Sequence, residues 1–177
     1  MRLIDAPRCP YCARVRIVLS EKGVEYETVE IDLSNRPDWV YDLNTTGRVP
    51  ILDDEDGFVL PESDCIMDYL EQRFPEPALL DGDLRVRAHA HLLVRRFDAT
   101  LGNDYYAFRR GDPNDLAARL EGLPVGESLY SDIAYVPWVI RVRDMLGVEL
   151  PGRLAEWLDG IAERPPVAAE IDVVRAL

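Results

Sequence analysis

The sequence is poor in the residue types that build metal sites and that bind nucleic acid. It contains three cysteines and two histidines in 177 residues, whereas a structural zinc site needs four such ligands held together. We therefore expect no metal. The formal net charge is −13, and nucleic acids and anionic membrane surfaces are themselves negatively charged. Electrostatic repulsion therefore argues against either of them as a partner.

Long apolar runs are absent as well. No stretch approaches the ~20 residues of a membrane span, and no secretory signal precedes the first predicted strand. An odd number of cysteines, two of them in a Cys-x-x-Cys spacing, is typical of a reducing compartment. We therefore expect a cytoplasmic protein without membrane contact.

The most informative motif that is present is Cys9-Pro10-Tyr11-Cys12. The apolar pair Leu3-Ile4 precedes it and an amphipathic run follows, which predicts a strand, a loop and the start of a helix. Pro10 suits the first helical position, so Cys9 is expected at the cap, before unpaired N–H groups and the positive end of the helix dipole. We therefore expect a depressed pKa for Cys9 and a nearly ordinary pKa for Cys12. One attacking and one resolving thiol can carry out thiol–disulfide exchange.

Two other interpretations of this motif stay open at this point. The cysteines are either metal ligands, against which the small number of Cys and His residues argues, or two inert core residues. The expected cap position of Cys9 argues against the second interpretation. The third cysteine, Cys65, lies in an apolar helical run and is expected to be a small core residue.

The order of predicted elements divides the chain into two domains. Residues 1–74 predict a β-α-β-α-β-β-α order, and residues 84–177 predict only helices. Between them, Pro75-Glu76-Pro77 and Asp81-Gly82-Asp83 bracket a predicted linker over residues 75–83. The predicted strands are 2–5, 25–31, 49–52 and 58–60, and the predicted helices are 10–22, 37–43, 62–74, 114–120, 132–146 and 167–174, besides helical stripes near 86–101 and 154–161.

This order, with Cys-Pro-Tyr-Cys after the first strand, resembles a thioredoxin fold in its glutaredoxin form. Arg48-Val49-Pro50 falls where that fold carries its cis-proline loop, and Leu60-Pro61-Glu62-Ser63 falls where the glutathione transferase family binds the γ-glutamyl group. The segment Ser131-Asp132-Ile133-Ala134 resembles the start of a buried helix in that family's C-terminal domain. Over nearly its whole length the chain is similar to bacterial glutathione transferases of the cysteine type. The resemblance implies a thioredoxin-like α/β domain followed by an all-α domain.

The resemblance also implies the site. Val49 would pair its backbone with the cysteinyl part of glutathione, as an added strand does. Glu62 and Ser63 would hold the amino-acid head group. In the alternative interpretation, Ser63 is an N-cap and Glu62 an acid of the first helical turn. The residues implied for catalysis are Cys9 and Cys12, and those implied for glutathione binding are Tyr11, Arg48, Val49, Pro50, Glu62 and Ser63.

Three functions follow from the resemblance. The leading hypothesis is thiol transfer, in which Cys9 reduces glutathionyl mixed disulfides or small oxidants, with glutathione or another small thiol as cosubstrate. The second is conjugation of glutathione to hydrophobic electrophiles, with Tyr105, Tyr106 and Phe108 lining the second pocket. The third is a non-enzymatic interaction module. The expected partners are a small thiol, a small-molecule or disulfide substrate and a second copy of the chain in a homodimer.

Overall fold

A sheet of four strands forms the centre of the N-terminal half of the chain. The computed structural model describes residues 1–177, except for the side chain of Asp56. The strands are β1 (Arg2–Asp5), β2 (Glu27–Glu30), β3 (Ile51–Asp53) and β4 (Val59–Pro61), in the order β2-β1-β3-β4. β2 runs parallel to β1, whereas β3 is antiparallel to both β1 and β4.

The central strand β1 is buried on both faces. Leu3 and Ile4 point to opposite sides of the sheet, and both are almost fully shielded from solvent. On one side, Ile4 belongs to a buried cluster with Cys9, Cys12 and Ile51. This cluster places the two cysteines directly against the core of the sheet.

Three helices accompany the sheet: α1 (Pro10–Glu21), α2 (Asp38–Leu43) and α3 (Ser63–Arg73). Lys22 is the C-cap of α1, and Gly23 follows with a φ of 63°, a left-handed conformation that glycine adopts readily at a helix end. The predicted helix at 10–22 is therefore confirmed. A Glu71 carboxylate on α3 pairs with the Lys22 ammonium at 2.5 Å.

The remaining helices form a second compact unit. The chain divides into Met1–Pro77 and Ala78–Ala176, and the division falls inside the predicted linker. A π-helical turn at Asp98–Gly102 separates α4 from α5, and Pro165 and Pro166 begin the last helix. The helices of this unit are α4 (Leu84–Phe97), α5 (Asn103–Arg110), α6 (Leu116–Glu121), α7 (Leu129–Asp144), α8 (Gly152–Ile161) and α9 (Pro165–Arg175). Within the described residues, no helix is both long and apolar enough to cross a bilayer.

Several predicted boundaries shift. β2 is shorter than the predicted strand, and β3 begins at Ile51 because Pro50 has no N–H to donate to a ladder. The helix predicted to start at residue 132 begins earlier, at Leu129, and Ser128 is its N-cap.

The expectation that Cys65 is a core residue is wrong. Its side chain is exposed, although it lies in a helix with apolar neighbours. Ile66, Met67 and Leu70 form the buried face of α3, and Cys65 lies outside this stripe, which repeats every three to four residues.

Candidate active site

Cys9 occupies the position that the motif predicts. It is the N-cap of α1, and Pro10 opens the helix. The Cys9 backbone N–H donates to the Ala6 carbonyl at 2.8 Å, which fixes the loop before the helix. The Cys9 thiol is 8% exposed, and its Sγ lies 3.8 Å from the Val49 carbonyl oxygen, to which it donates. The nucleophile candidate therefore contacts the loop at Pro50.

Cys12 differs from Cys9 in a way that the sequence did not indicate. It is fully buried, and burial raises its pKa well above the ordinary value. The hydrogen bond with Cys9 and the negative charges of Cys9 and Asp5 raise this pKa further. The expectation of a nearly ordinary pKa for Cys12 is therefore wrong, because a buried thiolate is poorly solvated beside other anions. At neutral pH Cys12 is held as a thiol.

The loop before β3 presents its backbone to Cys9. The Val49–Pro50 peptide bond is cis, as the resemblance predicted, and both residues are buried, whereas the Arg48 side chain is exposed. The Arg48 carbonyl accepts a hydrogen bond from Asn44 Nδ2 at 2.9 Å, and its N–H donates to the Thr46 hydroxyl at 3.3 Å. These bonds fix the backbone immediately before Val49.

Glu62 and Ser63 do not have the structural roles that the alternative interpretation gave them. Glu62, not Ser63, is the N-cap of α3, and its side chain makes no capping hydrogen bond. Its φ of 70° is left-handed, which a residue with a Cβ rarely adopts. Ser63 is the first helical residue and is buried. Neither side chain is therefore accounted for by helix capping.

Arg14 is the residue that sequence reasoning missed. Its side chain is completely buried, and its Nη1 donates to Ser63 Oγ at 3.3 Å. Its guanidinium carbon lies 5.2 Å from the centre of the Tyr11 ring, a distance typical of a cation–π contact. The spacing of three between Tyr11 and Arg14 on a helix gave a usable signal, since such residues are neighbours.

The structure brings some of the predicted residues together. Cys9, Cys12 and Val49 share one buried cluster, and Tyr11 packs against it. Ser63 connects to this group through Arg14, while the Glu62 side chain is exposed. Among the described residues, no group of three or more His, Cys, Asp and Glu side chains is arranged to hold a metal ion.

The residues suggested for a second pocket lie in the helical unit. Tyr105 is completely buried and makes an edge contact with Tyr106, with the ring centres 5.1 Å apart. Tyr105 is therefore a core residue, and the expectation that it lines an open pocket is wrong. Phe108 is 40% exposed.

Comparisons with known proteins agree with this architecture. Residues 3–78 match the family model for the glutathione S-transferase N-terminal domain. The chain is 47% identical over 88 residues to the stringent starvation protein A homolog of Haemophilus influenzae, covering 50% of this chain and 41% of that protein. It is 33% identical over 97 residues to glutathione S-transferase omega-1 of Mus musculus, covering 55% and 40%. A probable glutathione transferase of Aplysia californica is 38% identical over 84 residues, covering 48% and 90%.

A solved structure shows the same fold over almost the entire chain. Glutathione transferase Omega 1C from Trametes versicolor has a TM-score of 0.82 at 23% identity, covering 99% of this chain and 93% of that chain. The predicted fold, a thioredoxin-like α/β domain followed by an all-helical domain, is thus confirmed. The chain spans between 40% and 52% of the length of three of the curated relatives it matches. Because the Aplysia relative is matched over 90% of its length and the family model covers the unit that holds the two thiols, this chain belongs to the glutathione transferase family.

Proposed function

We propose that this protein is a glutathione-dependent thiol transferase in which Cys9 is the nucleophile. The observation that carries the proposal is the Cys9 thiol at the N-cap of α1, in contact with the Val49 carbonyl and beside a fully buried Cys12. The N–H groups of a helix N-terminus stabilise a thiolate at this position. The similarity to glutathione S-transferase omega-1, whose name denotes a transferase that uses glutathione, supports glutathione as the cosubstrate.

The proposed reaction consists of two exchanges. The Cys9 thiolate attacks the glutathionyl sulfur of a mixed disulfide, so that a Cys9–glutathione disulfide forms and the substrate leaves as a thiolate, which takes up a proton. A free glutathione, as its thiolate, then attacks the glutathionyl sulfur of the Cys9–glutathione disulfide. Glutathione disulfide leaves, and the Cys9 thiolate is regenerated. In total, one glutathionyl mixed disulfide and one free glutathione give the substrate thiol and one glutathione disulfide, half of which comes from the mixed disulfide.

The state of Cys12 favours resolution by an external thiol. Its burial and raised pKa leave little thiolate at neutral pH to attack the Cys9–glutathione disulfide, and only a thiolate is an effective nucleophile. In this proposal Cys12 resolves only the mixed disulfides that Cys9 forms with protein substrates, which react more slowly than small disulfides. We propose a cytoplasmic setting, since Cys9 is regenerated only where the small-thiol pool is kept reduced.

The residues that we propose for glutathione binding lie in the thiol motif, in the loop before β3 and at the start of α3. When Cys9 ionises, the Val49 carbonyl loses the hydrogen bond that it accepts from the thiol and becomes available to a ligand N–H. The Ser63 hydroxyl and the first N–H groups of α3 suit a carboxylate, while the Glu62 carboxylate suits an ammonium group. The remaining proposed contacts are Tyr11, Arg48 and Pro50.

We propose a homodimer as the functional form, on the basis of an apolar stripe along α4. Leu84 is 83% exposed and Leu92 is 41% exposed, and Ala88 lies one helical turn from each of them, also exposed. A contiguous apolar stripe that is exposed to solvent on one face of a helix is typical of a protein–protein interface.

Two assays run side by side test the catalytic proposal. We expect the protein to reduce a small glutathionyl disulfide and to conjugate chlorodinitrobenzene poorly. Cys9→Ser should lower thiol transfer to the uncatalysed rate, and Cys12→Ser should spare it. Cys65→Ser is the matched control, since this thiol is exposed on α3. Undiminished transfer by Cys9→Ser would contradict the proposal, and conjugation as the main activity would favour a conjugating transferase instead.

A non-catalytic interaction module is the competing function. The 47% identity to the stringent starvation protein A homolog favours it, because the name of that relative does not denote a transferase. Absence of both activities, together with specific retention of a protein partner, would establish this function and remove the catalytic one.

A further inference from the structure

We infer that the helical unit contains a second ligand site, a cavity lined by α4, α6 and α7 that binds a small aromatic carboxylate. The cavity has a volume of about 230 Å³. All the residues that line it belong to the unit Ala78–Ala176, and Tyr105, Tyr106 and Phe108, which were suggested for a second-substrate pocket, are not among them. The inference therefore does not depend on the function proposed for Cys9.

The walls of the cavity come from a short helix and from an irregular turn. α6 has only six residues, and Ala118 on it and Gly122 at its end line the cavity with no side chain larger than a methyl group. The π-helical turn Asp98–Gly102 contributes Thr100 and Leu101 to the wall. Turns of this kind are frequent at functional sites. The cavity thus lies beside a departure from regular helix that the packing of the unit alone does not require.

The floor of the cavity is apolar and partly aromatic. Its buried side chains are those of Leu93, Phe97, Leu101, Leu123 and Tyr135. The rings of Phe97 and Tyr135 stack with their centres 4.7 Å apart, which fixes both of them. An apolar cavity of about 150 Å³ accommodates benzene, whereas pockets for drug-sized ligands begin at about 300 Å³. The volume therefore suits one ring with a short substituent and excludes a tripeptide such as glutathione.

Two exposed arginines, Arg96 and Arg119, line the same cavity, and no acidic residue does. The charge of Arg119 is compensated, because its Nε donates to Asp104 at 3.0 Å and its Nη2 lies 3.8 Å from an Asp115 carboxylate oxygen. Arg96 forms no ion pair with any residue that the structure describes, and the Thr100 hydroxyl donates to its carbonyl at 2.7 Å. Arg96 is therefore the cation available to a ligand.

The combination of this floor and this cation defines the chemical class of the ligand. A guanidinium can donate two parallel hydrogen bonds to one carboxylate, and an aromatic ring packs favourably against the aromatic side chains of the floor. A ligand with a ring at one end and a carboxylate at the other satisfies both parts of the cavity. Because Arg96 is exposed to solvent, its ion pair with the ligand contributes less than the burial of the ring.

Two probes that differ in charge test the inference: 4-fluorophenylacetate and its neutral amide. Fluorine relaxation of each probe gives its dissociation constant for the full chain, and about 0.1–1 mM is expected for a carboxylate of this size. Arg96→Met should weaken the carboxylate about fivefold, as the loss of an exposed ion pair does, and should weaken the amide less than about twofold. Arg95→Met is the matched control, because Arg95 is exposed on the same helix but does not line the cavity.

A second pair of variants tests the location. Ala118→Phe fills the cavity from an exposed position on α6 and should weaken both probes more than about tenfold, whereas Ala117→Phe, which is exposed but does not line the cavity, should change neither. S-hexylglutathione should not displace either probe.

The contrary results each overturn the inference. They are absence of carboxylate binding at ten times the highest expected constant, equal weakening of both probes by Arg96→Met, undiminished binding by Ala118→Phe, and displacement by S-hexylglutathione, which would make the cavity part of a second-substrate pocket. If Ala118→Phe does not fold, the comparison of Arg96→Met with Arg95→Met decides alone, since both side chains are exposed.

Discussion

The side chains of Lys22 and Glu71 form an ion pair that is almost completely shielded from water, with the ammonium 2.5 Å from a carboxylate oxygen. Lys22 also donates to the Pro77 carbonyl at 2.7 Å. It is the only lysine of the chain, and it lies at the end of α1, while Glu71 lies on α3. The pair therefore joins the helix that begins after Cys9 to the helix that begins at Ser63.

Replacing only one partner of this ion pair should destabilise the fold strongly. Lys22→Met removes the ammonium that pairs with the buried Glu71 carboxylate, for which we expect a loss of about 3–5 kcal/mol in the free energy of unfolding. The double variant Lys22→Met with Glu71→Leu should recover most of this loss, because no charge stays buried. Urea denaturation measures each variant, and a double variant as unstable as the single one would contradict the prediction. Arg2→Met, which breaks a half-exposed pair with Asp53, is the control and should have little effect.

The three thiols should differ in their reaction with iodoacetamide. Cys12 is buried with a raised pKa, so we expect its alkylation to be the slowest and to accelerate only at alkaline pH. Cys9 is expected from its cap position to react at lower pH. The measurement is the alkylation rate against pH in Cys65→Ser protein, because the exposed Cys65 would otherwise dominate the signal. Equal pH profiles for Cys9 and Cys12 would contradict the assignment of the nucleophile.

Tyr69 should make the stability of the first unit depend on pH. Burial alone would raise the pKa of Asp54, but the hydrogen bond from the Tyr69 hydroxyl, at 2.5 Å, and the charge of Arg73 outweigh it and lower this pKa. A lowered carboxyl pKa stabilises the fold above the ordinary value of about 3.9, and this stabilisation is lost as the pH falls through the folded-state pKa.

Tyr69→Phe should therefore cost about 1–2 kcal/mol at neutral pH, and the cost should shrink below about pH 4. Urea denaturation at neutral and acidic pH measures both values. Tyr41→Phe is the matched control, since Tyr41 is 43% exposed and its hydroxyl makes no hydrogen bond to any described residue. A cost that does not change with pH would show that Asp54 is not the group responsible.

The exposed stripe on α4 provides a test of the homodimer. We expect the parent chain to sediment as a dimer and the double variant Leu84→Glu with Leu92→Glu to sediment as a monomer, because four buried carboxylates would lie in the interface. Phe108→Glu removes an apolar residue of similar exposure on α5 and should leave the mass unchanged. A parent chain that is monomeric at all concentrations would contradict the proposal.

Local signals explain which parts of the structure were predictable. Pro10 predicted the start of α1 and the cap position of Cys9, and the alternation of apolar and polar residues predicted the strands. Both signals come from residues that are neighbours in the sequence. The exposure of Cys65 also had a local signal, because Cys65 lies outside the apolar stripe of Ile66, Met67 and Leu70 on α3. Arg14 contacts Ser63 across 49 positions of the chain, and such a pairing has no local signature. The left-handed backbone of Glu62 was equally invisible, since glutamate gives no hint of that conformation.

The backbone conformation of Glu62 lowers the stability of the fold, whereas its side chain is proposed to bind the ligand. A residue with a Cβ at a φ of 70° carries a cost on the order of 1 kcal/mol that glycine avoids. Glu62→Gly should therefore be more stable than Glu62→Ala by about 0.5–1 kcal/mol in urea denaturation, while calorimetry should find the two variants equally impaired in glutathione binding. An alanine variant as stable as the glycine variant would show that the position is unstrained. Selection for stability alone would favour glycine here, so a glutamate at this position is maintained against the thermodynamic preference of its own backbone.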